Sequence, residues 1–464
     1  MAISNAVHWE VRTTGNDANG GGFKQGATGV DYSQQDAAQY SPSGMTTAGV
    51  AALIAYAGAA TDMVGNILNI ASGTNFITGS YEITAAVAGV SITVDRNCTT
   101  GIGASGAGKI GGGKLTISAM DALLTAGQTG WIQYHASNTY TLGSKISLTN
   151  TGSSSAESLI WWGYESSHGD DTDNRPTITS STSGLTLIEF NLCAYRIFRN
   201  LKFTHTGATR GIVFDAIVGA AYAHLIENCV FDGVLTAMKL DNLGAEYPGI
   251  GTMINCLIQN CTGVGIRHTG LTMIGCTVAN NASDGILIGA STYSFGSCAI
   301  IDSLIYGNGG KGLSYDSYTG TMTIVGSVFH GNTSDGVGSS SGYTQGTFQS
   351  NVFYSNGGYG VLVTTTVNKN LITRCNAYGA NSSGARLNLT AGAFDVTLTG
   401  DPFTNAAGGD FSLNDTAGAG AALKSAGFPA IMPGGATTPN INIGVAQNEF
   451  ATGGSGESVT IWGA

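Results

Sequence analysis

From about residue 200 onward, one pattern of apolar and polar positions recurs along the chain. Short runs of alternating apolar and polar residues are followed by an asparagine, three further residues, a glycine and an aliphatic residue. Four consecutive copies are Asn281, Gly285 and Ile286; Asn308, Gly312 and Leu313; Asn332, Gly336 and Val337; and Asn356, Gly360 and Val361. The asparagines are 27, 24 and 24 residues apart. Alternation with a period of two indicates β-strands, and the asparagine and glycine between them indicate turns.

The strand positions form columns when the copies are aligned. One column holds small residues, and the positions two residues before and two residues after it are mostly large and apolar. Because every second residue of a strand points the same way, we expect all three columns to face the interior. Their members are Cys256, Cys276, Ser303, Ser327 and Asn351; then Ile254, Ile274, Ile301, Val325 and Gln349; and finally Ile258, Val278, Ile305, Phe329 and Phe353.

A glycine-rich repeat of this length, built from short strands, predicts an all-β fold. The specific prediction is a right-handed, single-stranded parallel β-helix (a solenoid) in which each repeat is one coil of about three strands. Leucine-rich repeats have a similar length but need a leucine frame that this chain lacks, and helical repeats are longer. Successive coils should stack ~4.8 Å apart, so that the eight copies over residues 201–370 form a rod roughly 35–40 Å long.

The rest of the chain divides around this regular part. We expect an extended N-terminal arm over residues 1–45, a small β-rich attachment or capping module over 46–113, and a β-helix over 114–395 whose regular coils span about 200–375. Residues 396–464, rich in glycine and alanine, would form a C-terminal cap. Thr46–Ala60 is the one segment with a helical pattern.

Composition narrows the function. The chain has 71 glycines among 464 residues, 10% charged residues and a net charge of −11. Nucleic-acid binding depends on lysine and arginine, which are scarce, so we expect no nucleic-acid partner and no binding to anionic membranes. The longest mostly apolar run, over residues 48–60, is too short to span a bilayer. No secretory signal is evident at the N-terminus, so synthesis in the host cytoplasm is expected. The eight cysteines show no metal-binding spacing and are expected to be buried free thiols.

Several segments carry a family resemblance. The stretches WEVRTTGNDANGGGF and MVGNILNIASGTNFITGSYEIT, and the tail DPFTNAAGGDFSLNDTAGAGAALKSAGFPAI, together with the repeat, resemble pectate-lyase-like right-handed β-helix proteins, especially their phage-virion branch of tailspikes, fibres and capsid-decoration proteins. The resemblance implies a virion location, a homotrimer, attachment to other virion proteins through the N-terminal region, and a possible contact with host cell-surface glycan. It implies no cofactor.

Two aspartates are the candidate catalytic residues. The third position after each repeat asparagine forms a column of Asp284, Lys311, Asp335 and Tyr359, which we expect to face outward. Asp284 and Asp335 would lie two coils apart, ~9–10 Å, near the separation of the two carboxylates in inverting glycosidases. The alternative is that they are turn residues on a solvated ladder, with Lys311 pairing both.

The segment HGDDTDNRP is a second acidic cluster. Asp170, Asp171 and Asp173, between His168 and Arg175, are candidate ligands for a calcium ion, although no calcium-loop template fits them. The alternative is an exposed acidic loop.

Aromatic residues are the candidate ligand-binding residues. Trp161, beside Trp162, could form a platform for a sugar, or one indole could face the core and its neighbour solvent. A set of tyrosines in the last regular coils could build a glycan-binding or subunit surface: Tyr315, Tyr318, Tyr343, Tyr354 and Tyr359. The catalytic motifs of polygalacturonase-like and pectate-lyase-like enzymes are missing. The sequence therefore favours a structural virion protein, with a tailspike-type polysaccharide depolymerase or a glycan-binding module as alternatives.

Overall fold

The computed structural model of the chain describes residues 3–191, 193–218, 223–240, 250–289, 297–316, 320–339, 344–364, 369–424, 426 and 444. Its main body is a parallel β-helix with three sheets, each adding one strand per coil. Within a coil the chain passes through sheet 1, sheet 2 and sheet 3 in that order. The all-β solenoid predicted from the repeat is therefore confirmed.

Over the described residues, sheet 1 has 12 strands and sheet 2 has 11. The strands of sheet 1, in spatial order, are Gly22–Lys24, Val7–Val11, Thr129–Gln133, Leu159–Tyr164, Arg196–Arg199, His224–Glu227, Ile250–Ile254, Gly270–Ile274, Cys298–Ile301, Thr321–Val325, Thr344–Gln349 and Lys369–Arg374. Those of sheet 2 are Tyr140–Thr141, Thr177–Thr179, Lys202–Thr204, Val230–Asp232, Leu257–Gln259, Thr277–Ala279, Leu304–Tyr306, Val328–His330, Val352–Tyr354, Ala377–Gly379 and Val396–Thr397.

Sheet 3 has 10 strands in the part of the chain that the structure describes: Ile146–Leu148, Ile188–Asn191, Ile212–Val218, Thr236–Leu240, Ile266–His268, Ile286–Ile288, Leu313–Tyr315, Val337–Ser339, Tyr359–Val363 and Gly384–Leu387. The helices are short: Thr61–Met63, Ile117–Asp121, Ser155–Glu157, Ala406–Gly408 and Gly420–Leu423. None of the helices in the described ranges is long and apolar enough to cross a membrane.

Like residues stack on like residues inside the tube. The inward column of sheet 2 is the predicted one, Ile258, Val278, Ile305, Phe329 and Phe353, and all five side chains are fully buried. The small-residue column from Cys256 to Asn351 is buried as well. All eight cysteines are buried free thiols.

The third predicted column stacks as expected but faces the wrong way. Ile254, Ile274, Ile301 and Val325 are paired in register on neighbouring strands, yet they are partly exposed on the outside of the tube. The buried column of sheet 1 lies one residue earlier, at Met253, Met273, Ile300 and Ile324.

A left-handed corner residue explains this error. Between sheets 1 and 2, Asn255, Gly275 and Asp302 have φ of 52°, 62° and 47°. One residue in this conformation turns the chain and shifts the alternation by one position, so that the residue before the corner points out and the residue after it points in. A period of two cannot be extended across such a corner.

A second corner holds the asparagine ladder. Asn281, Asn308, Asn332 and Asn356 are buried, and each side-chain Nδ2 donates to the Oδ1 of the asparagine in the next coil at 2.8–3.0 Å, ending on Asn381. Each of these Oδ1 atoms also accepts a backbone N–H from the preceding coil. The repeat asparagine is therefore a buried hydrogen-bonding residue that joins successive coils.

The N-terminal region departs from two predictions. Val7–Val11 pairs in parallel with Thr129–Gln133, so these residues belong to the first coil of the rod and are not an extended arm. The prediction of a helix within Thr46–Ala60 was wrong, because Leu53–Ala55 is a strand of a five-stranded antiparallel sheet. The other strands of that sheet are Ile67–Phe76, Gly79–Val87, Ser91–Val94 and Thr99–Ile110.

A clasp joins this antiparallel sheet to the first coil. The Asp17 carboxylate accepts the backbone N–H groups of Leu115 and Thr116 at 2.9 Å, and the buried Lys114 Nζ donates to the carbonyls of Asp17 and Asn19. Burial lowers the pKa of Lys114 to about 8. These contacts of the GNDANGGG segment stabilise the N-terminal end of the rod.

The C-terminal region packs along the rod. A hairpin of Phe403–Asn405 and Asp410–Leu413 places Phe403 and Phe411 against Val328 and Val352, on the outer side of sheet 2. Beyond residue 424, the predicted cap lies outside the described residues, apart from residues 426 and 444.

Candidate functional site

The column of Asp284, Lys311, Asp335 and Tyr359 lies where the chain enters the strands of sheet 3. Its members follow one another on consecutive coils, as predicted. Asp284 Oδ1 accepts the backbone N–H of Lys311 at 2.7 Å, and Asp335 Oδ1 accepts that of Tyr359 at 2.8 Å. Each carboxylate therefore binds the main chain of the next coil. Asp335 is 5% exposed, which leaves little of it open to a substrate.

Glycines make room for these two carboxylates. A Cβ added to Gly310 would lie 2.1 Å from Asp284 Oδ1, and one added to Gly358 would lie 2.3 Å from Asp335 Oδ1. The geometry is that of a turn in which a side-chain acceptor satisfies a backbone donor. It favours the turn role for both residues, although Asp335 is buried rather than solvated and its backbone partner belongs to Tyr359.

Substitutions at Asp335 should separate the structural from the catalytic role. Asparagine keeps an acceptor oxygen in place, so Asp335→Asn should leave the free energy of unfolding within about 0.5 kcal/mol of wild type, whereas Asp335→Ala should lose about 1–3 kcal/mol. Urea unfolding followed by circular dichroism measures both. Equal stability of the two variants would contradict the hydrogen-bonding role.

The three aspartates of the acidic loop point to three different partners. Asp170 accepts the backbone N–H groups of Glu165, Ser166 and Ser167. Asp171 accepts Trp162 Nε1 at 2.8 Å, and Asp173 lies 3.4 Å from Arg175. Burial alone would raise the pKa of Asp170, but the backbone hydrogen bonds hold it below its usual value.

These partners leave no shared position for a calcium ion. Across the residues that the structure describes, no group of three or more histidine, cysteine, aspartate or glutamate side chains is placed to hold a metal. The aspartates instead contact other residues of the loop and the Trp162 indole.

Trp161 cannot serve as a sugar platform. Its side chain is fully buried inside the tube, and its Nε1 donates to Asp121 Oδ1 at 3.0 Å. The same carboxylate pairs with the fully buried Arg196 at 2.5 Å. Of the two adjacent tryptophans, the sequence-based candidate is the inward one.

Trp162 faces outward, within a continuous stack on sheet 1. Its ring lies 4.8 Å from that of Trp131 on one side and 4.8 Å from the Arg199 guanidinium on the other, contributed by the two neighbouring strands. Trp131 is also stacked on His168, with ring centres 4.3 Å apart. Both faces of Trp162 are therefore covered, so it has no free face on which a sugar could stack.

A polar contact closes each end of this stack. At one end His168 Nε2 lies 3.0 Å from Glu10 Oε2, and at the other Arg199 lies 2.6 Å from Glu227. Glu10 is fully buried and also binds the Tyr164 hydroxyl. Burial raises the pKa of Glu10, although its contacts with His168 and Tyr164 act to lower it. The stack ties strand Val7–Val11 to the following coils.

The candidate tyrosines do not form one surface. Tyr315 is fully buried, its strand belonging to sheet 3. Tyr354 lies on sheet 2 and packs against the C-terminal hairpin, while Tyr359 is partly exposed on sheet 3. Tyr318 and Tyr343 lie outside the described residues. The candidate tyrosines that the structure describes therefore do not form a common surface.

A charged ladder on the outer face of sheet 3 was missed. Glu189, Asp215, Lys239 and Arg267 are paired in register on four consecutive strands. Lys145 pairs with Glu189, and Lys239 Nζ lies 3.8 Å from Asp215 Oδ1. The signal was a charged residue at the centre of successive apolar segments, in IEF, FDA, MKL and IRH. Two carboxylates thus lie side by side, each with a lysine partner.

Comparison with known proteins fits this architecture. The model of the right-handed β-helix region family matches residues 188–345 and 262–421, which together span just over half of the chain. The chain belongs to the right-handed β-helix family. A search of curated proteins found no match.

Solved structures match this chain at low sequence identity. Pectate lyase Pel9A is 14% identical, with a TM-score of 0.53, and the match covers 72% of this chain and 91% of Pel9A. The match to ORF18 of Geobacillus virus E2 has 11% identity and a TM-score of 0.41, over 60% of this chain and 55% of that one. Tailspike protein 3 of bacteriophage CBA120 gives 14% and 0.30, over 59% and 57%. The likeness to Pel9A is one of fold alone, and it confirms the predicted pectate-lyase-like β-helix.

Proposed function

We propose that this chain is a structural protein of a phage virion, a stiff rod that projects from the particle and does not cleave polysaccharide. The observation that carries the proposal is the use of Asp284 and Asp335 as acceptors for the backbone of the next coil. Carboxylates committed in this way are not placed to protonate a glycosidic bond or to activate water.

The virion location is supported by the resemblance of the N-terminal stretches to the leaders of phage β-helix proteins. In this chain those stretches build the clasp of Asp17 and Lys114 and the five-stranded antiparallel sheet beside it. We infer that residues 46–113 attach the rod to other virion proteins. A spike, a fibre and a capsid-decoration protein would each use the rod in this way.

The continuous sheets suit a mechanical role. Strands in the middle of each sheet are paired on both sides, so only the terminal strands have edges that could open. The asparagine ladder adds side-chain bonds between coils. A contact between the free end of the rod and host glycan is part of the proposal, without any catalytic step.

The test joins two measurements. We expect mass spectrometry and immunogold labelling of purified particles of a phage that encodes the chain to place it in the virion. We expect the purified protein to release no reducing ends from capsular or cell-wall polysaccharide of the host. Absence from particles would contradict the location, and sugar release that is lost in Asp335→Asn would contradict the structural role.

One observation favours a second candidate, a polysaccharide depolymerase. Glu189 and Asp215 are directly paired on adjacent strands, ~4.8 Å apart along the rod, close to the ~5–5.5 Å between the carboxylates of retaining glycosidases. Their lysine partners and the burial of Glu189, which is 7% exposed, argue for a structural ladder instead. In the same assay, release of reducing ends that is lost in both Glu189→Gln and Asp215→Asn would establish this second function.

A further inference from the structure

The outer face of sheet 1 carries two uncharged columns side by side. One is a ridge of large side chains, Ile254, Ile274, Ile301 and Val325. The other is a column of mostly small side chains, Thr252, Thr272, Ala299 and Thr323, paired in the same register. All eight are partly exposed. Glu227 and Arg374 lie at the two ends of this stretch, and the described outward positions of the sheet between them carry no charged side chain.

The other two faces of the rod differ from this one. In the coils of this ridge, the outward positions of sheet 3 include the charged Arg267 and the buried Ser314 and Gly338. Sheet 2 is covered near its C-terminal end by the chain's own hairpin, through Phe403 and Phe411. Sheet 1 therefore offers an outer face that is uncharged between Glu227 and Arg374 and is covered by no described segment.

The size of the face reaches the lower limit for a specific contact. Six strands, from Ile250–Ile254 to Lys369–Arg374, span roughly 25–30 Å along the rod at ~4.8 Å per strand, and each strand is ~16 Å long. A pair of such faces would bury on the order of 1,000 Å², the lower bound for a specific interface.

The spacing of the columns identifies the partner. Side chains that recur every ~4.8 Å along a straight ridge match a surface with the same repeat, and a second copy of this chain has it. Two β-faces pack ~10 Å apart when their side chains interdigitate, and a large column lying over a small one allows this.

We propose that copies of this chain associate through the outer face of sheet 1, with the isoleucine ridge of one copy over the threonine column of the next. The homotrimer expected from the family resemblance is one closed arrangement of this contact. The inference goes beyond the proposed function and does not depend on it, since association in solution can be measured whether or not the chain is part of a virion.

The test is the mass of the full chain by size-exclusion chromatography with multi-angle light scattering. We expect wild type to run as an oligomer. The double variant Ile274→Lys, Ile301→Lys should raise the concentration for half-dissociation at least 100-fold. Leu287→Lys is the matched control, because Leu287 is a partly exposed outward residue of sheet 3 in the same coil as Ile274. It should keep the wild-type mass.

A second double variant, Thr272→Arg with Thr323→Arg, covers the case in which the lysine variant fails to fold, and it should dissociate in the same way. Retention of the wild-type mass by folded variants would overturn the proposal, and so would a monomeric wild type. A monomeric wild type that associates only when truncated after Gly444 would show that residues 445–464 of the same chain occupy the face.

Discussion

Replacing Asn332 with alanine is expected to lower the free energy of unfolding by about 4 kcal/mol. Asn332 Oδ1 accepts the backbone N–H and the Nδ2 of Asn308, while its own Nδ2 donates to the Ile305 carbonyl and to Asn356 Oδ1. All these groups are buried. Each buried group left without a partner costs about 1–3 kcal/mol, and at least two are left here.

Urea unfolding and amide hydrogen exchange measure this effect. Because a solenoid can open locally, exchange should accelerate most at the amides of Asn308 and its neighbouring coils. Thr333→Ala, at the exposed adjacent position, is the control and should change stability by less than about 0.5 kcal/mol. If both variants lost the same small amount, the ladder would not hold the coils together.

Acid should destabilise the rod through two buried histidines. His224 and His268 lie inside the tube, and neither ring nitrogen of His224 has a hydrogen-bond partner among the residues that the structure describes. Burial lowers the pKa of each to about 3. The unfolded chain takes up these protons near pH 6.5, whereas the folded chain does not until about pH 3. The stabilisation is therefore complete above pH 6.5 and is lost as the pH falls toward 3.

At pH 4 the expected loss is about 3 kcal/mol for each histidine. His224→Phe should remove one share of it, since the new ring can take the same place against Phe190, whose ring centre lies 4.3 Å from that of His224. The measurement is the free energy of unfolding from pH 7 to pH 4 for wild type, His224→Phe and a control, His135→Gln. An equal slope in wild type and His224→Phe would contradict the assignment.

Sequence reasoning predicted the solenoid because stacking repeats like residues at a fixed spacing. The columns of sheet 2, from Ile258 to Phe353, needed only the period of two within one strand. The prediction that the column at Ile254 faces inward was wrong because Asn255 adopts a left-handed conformation, which alternation within a strand does not reveal. The same ambiguity of parity left Trp161 as a surface candidate when it is the inward member of its pair.

The candidate site was harder to predict than the fold. The role of Asp335 depends on a backbone N–H of the next coil, at Tyr359, and on the space left by Gly358, neither of which can be derived from spacing. The ladder of Glu189 and Asp215 needed the register of sheet 3, whose strands in the first coils are separated by loops of unequal length. The stacked columns could be assigned from the repeat, whereas the hydrogen-bond partner of a side chain in the next coil could not.

A cryo-electron microscopy map that resolves side chains is the most direct test of the stacked tube and its corners. We expect Met253, Met273, Ile300 and Ile324 to lie one above another inside the tube, and Ile254, Ile274, Ile301 and Val325 to lie in register on its outer face. A map with the isoleucine column inside, or with these residues out of register, would contradict this arrangement.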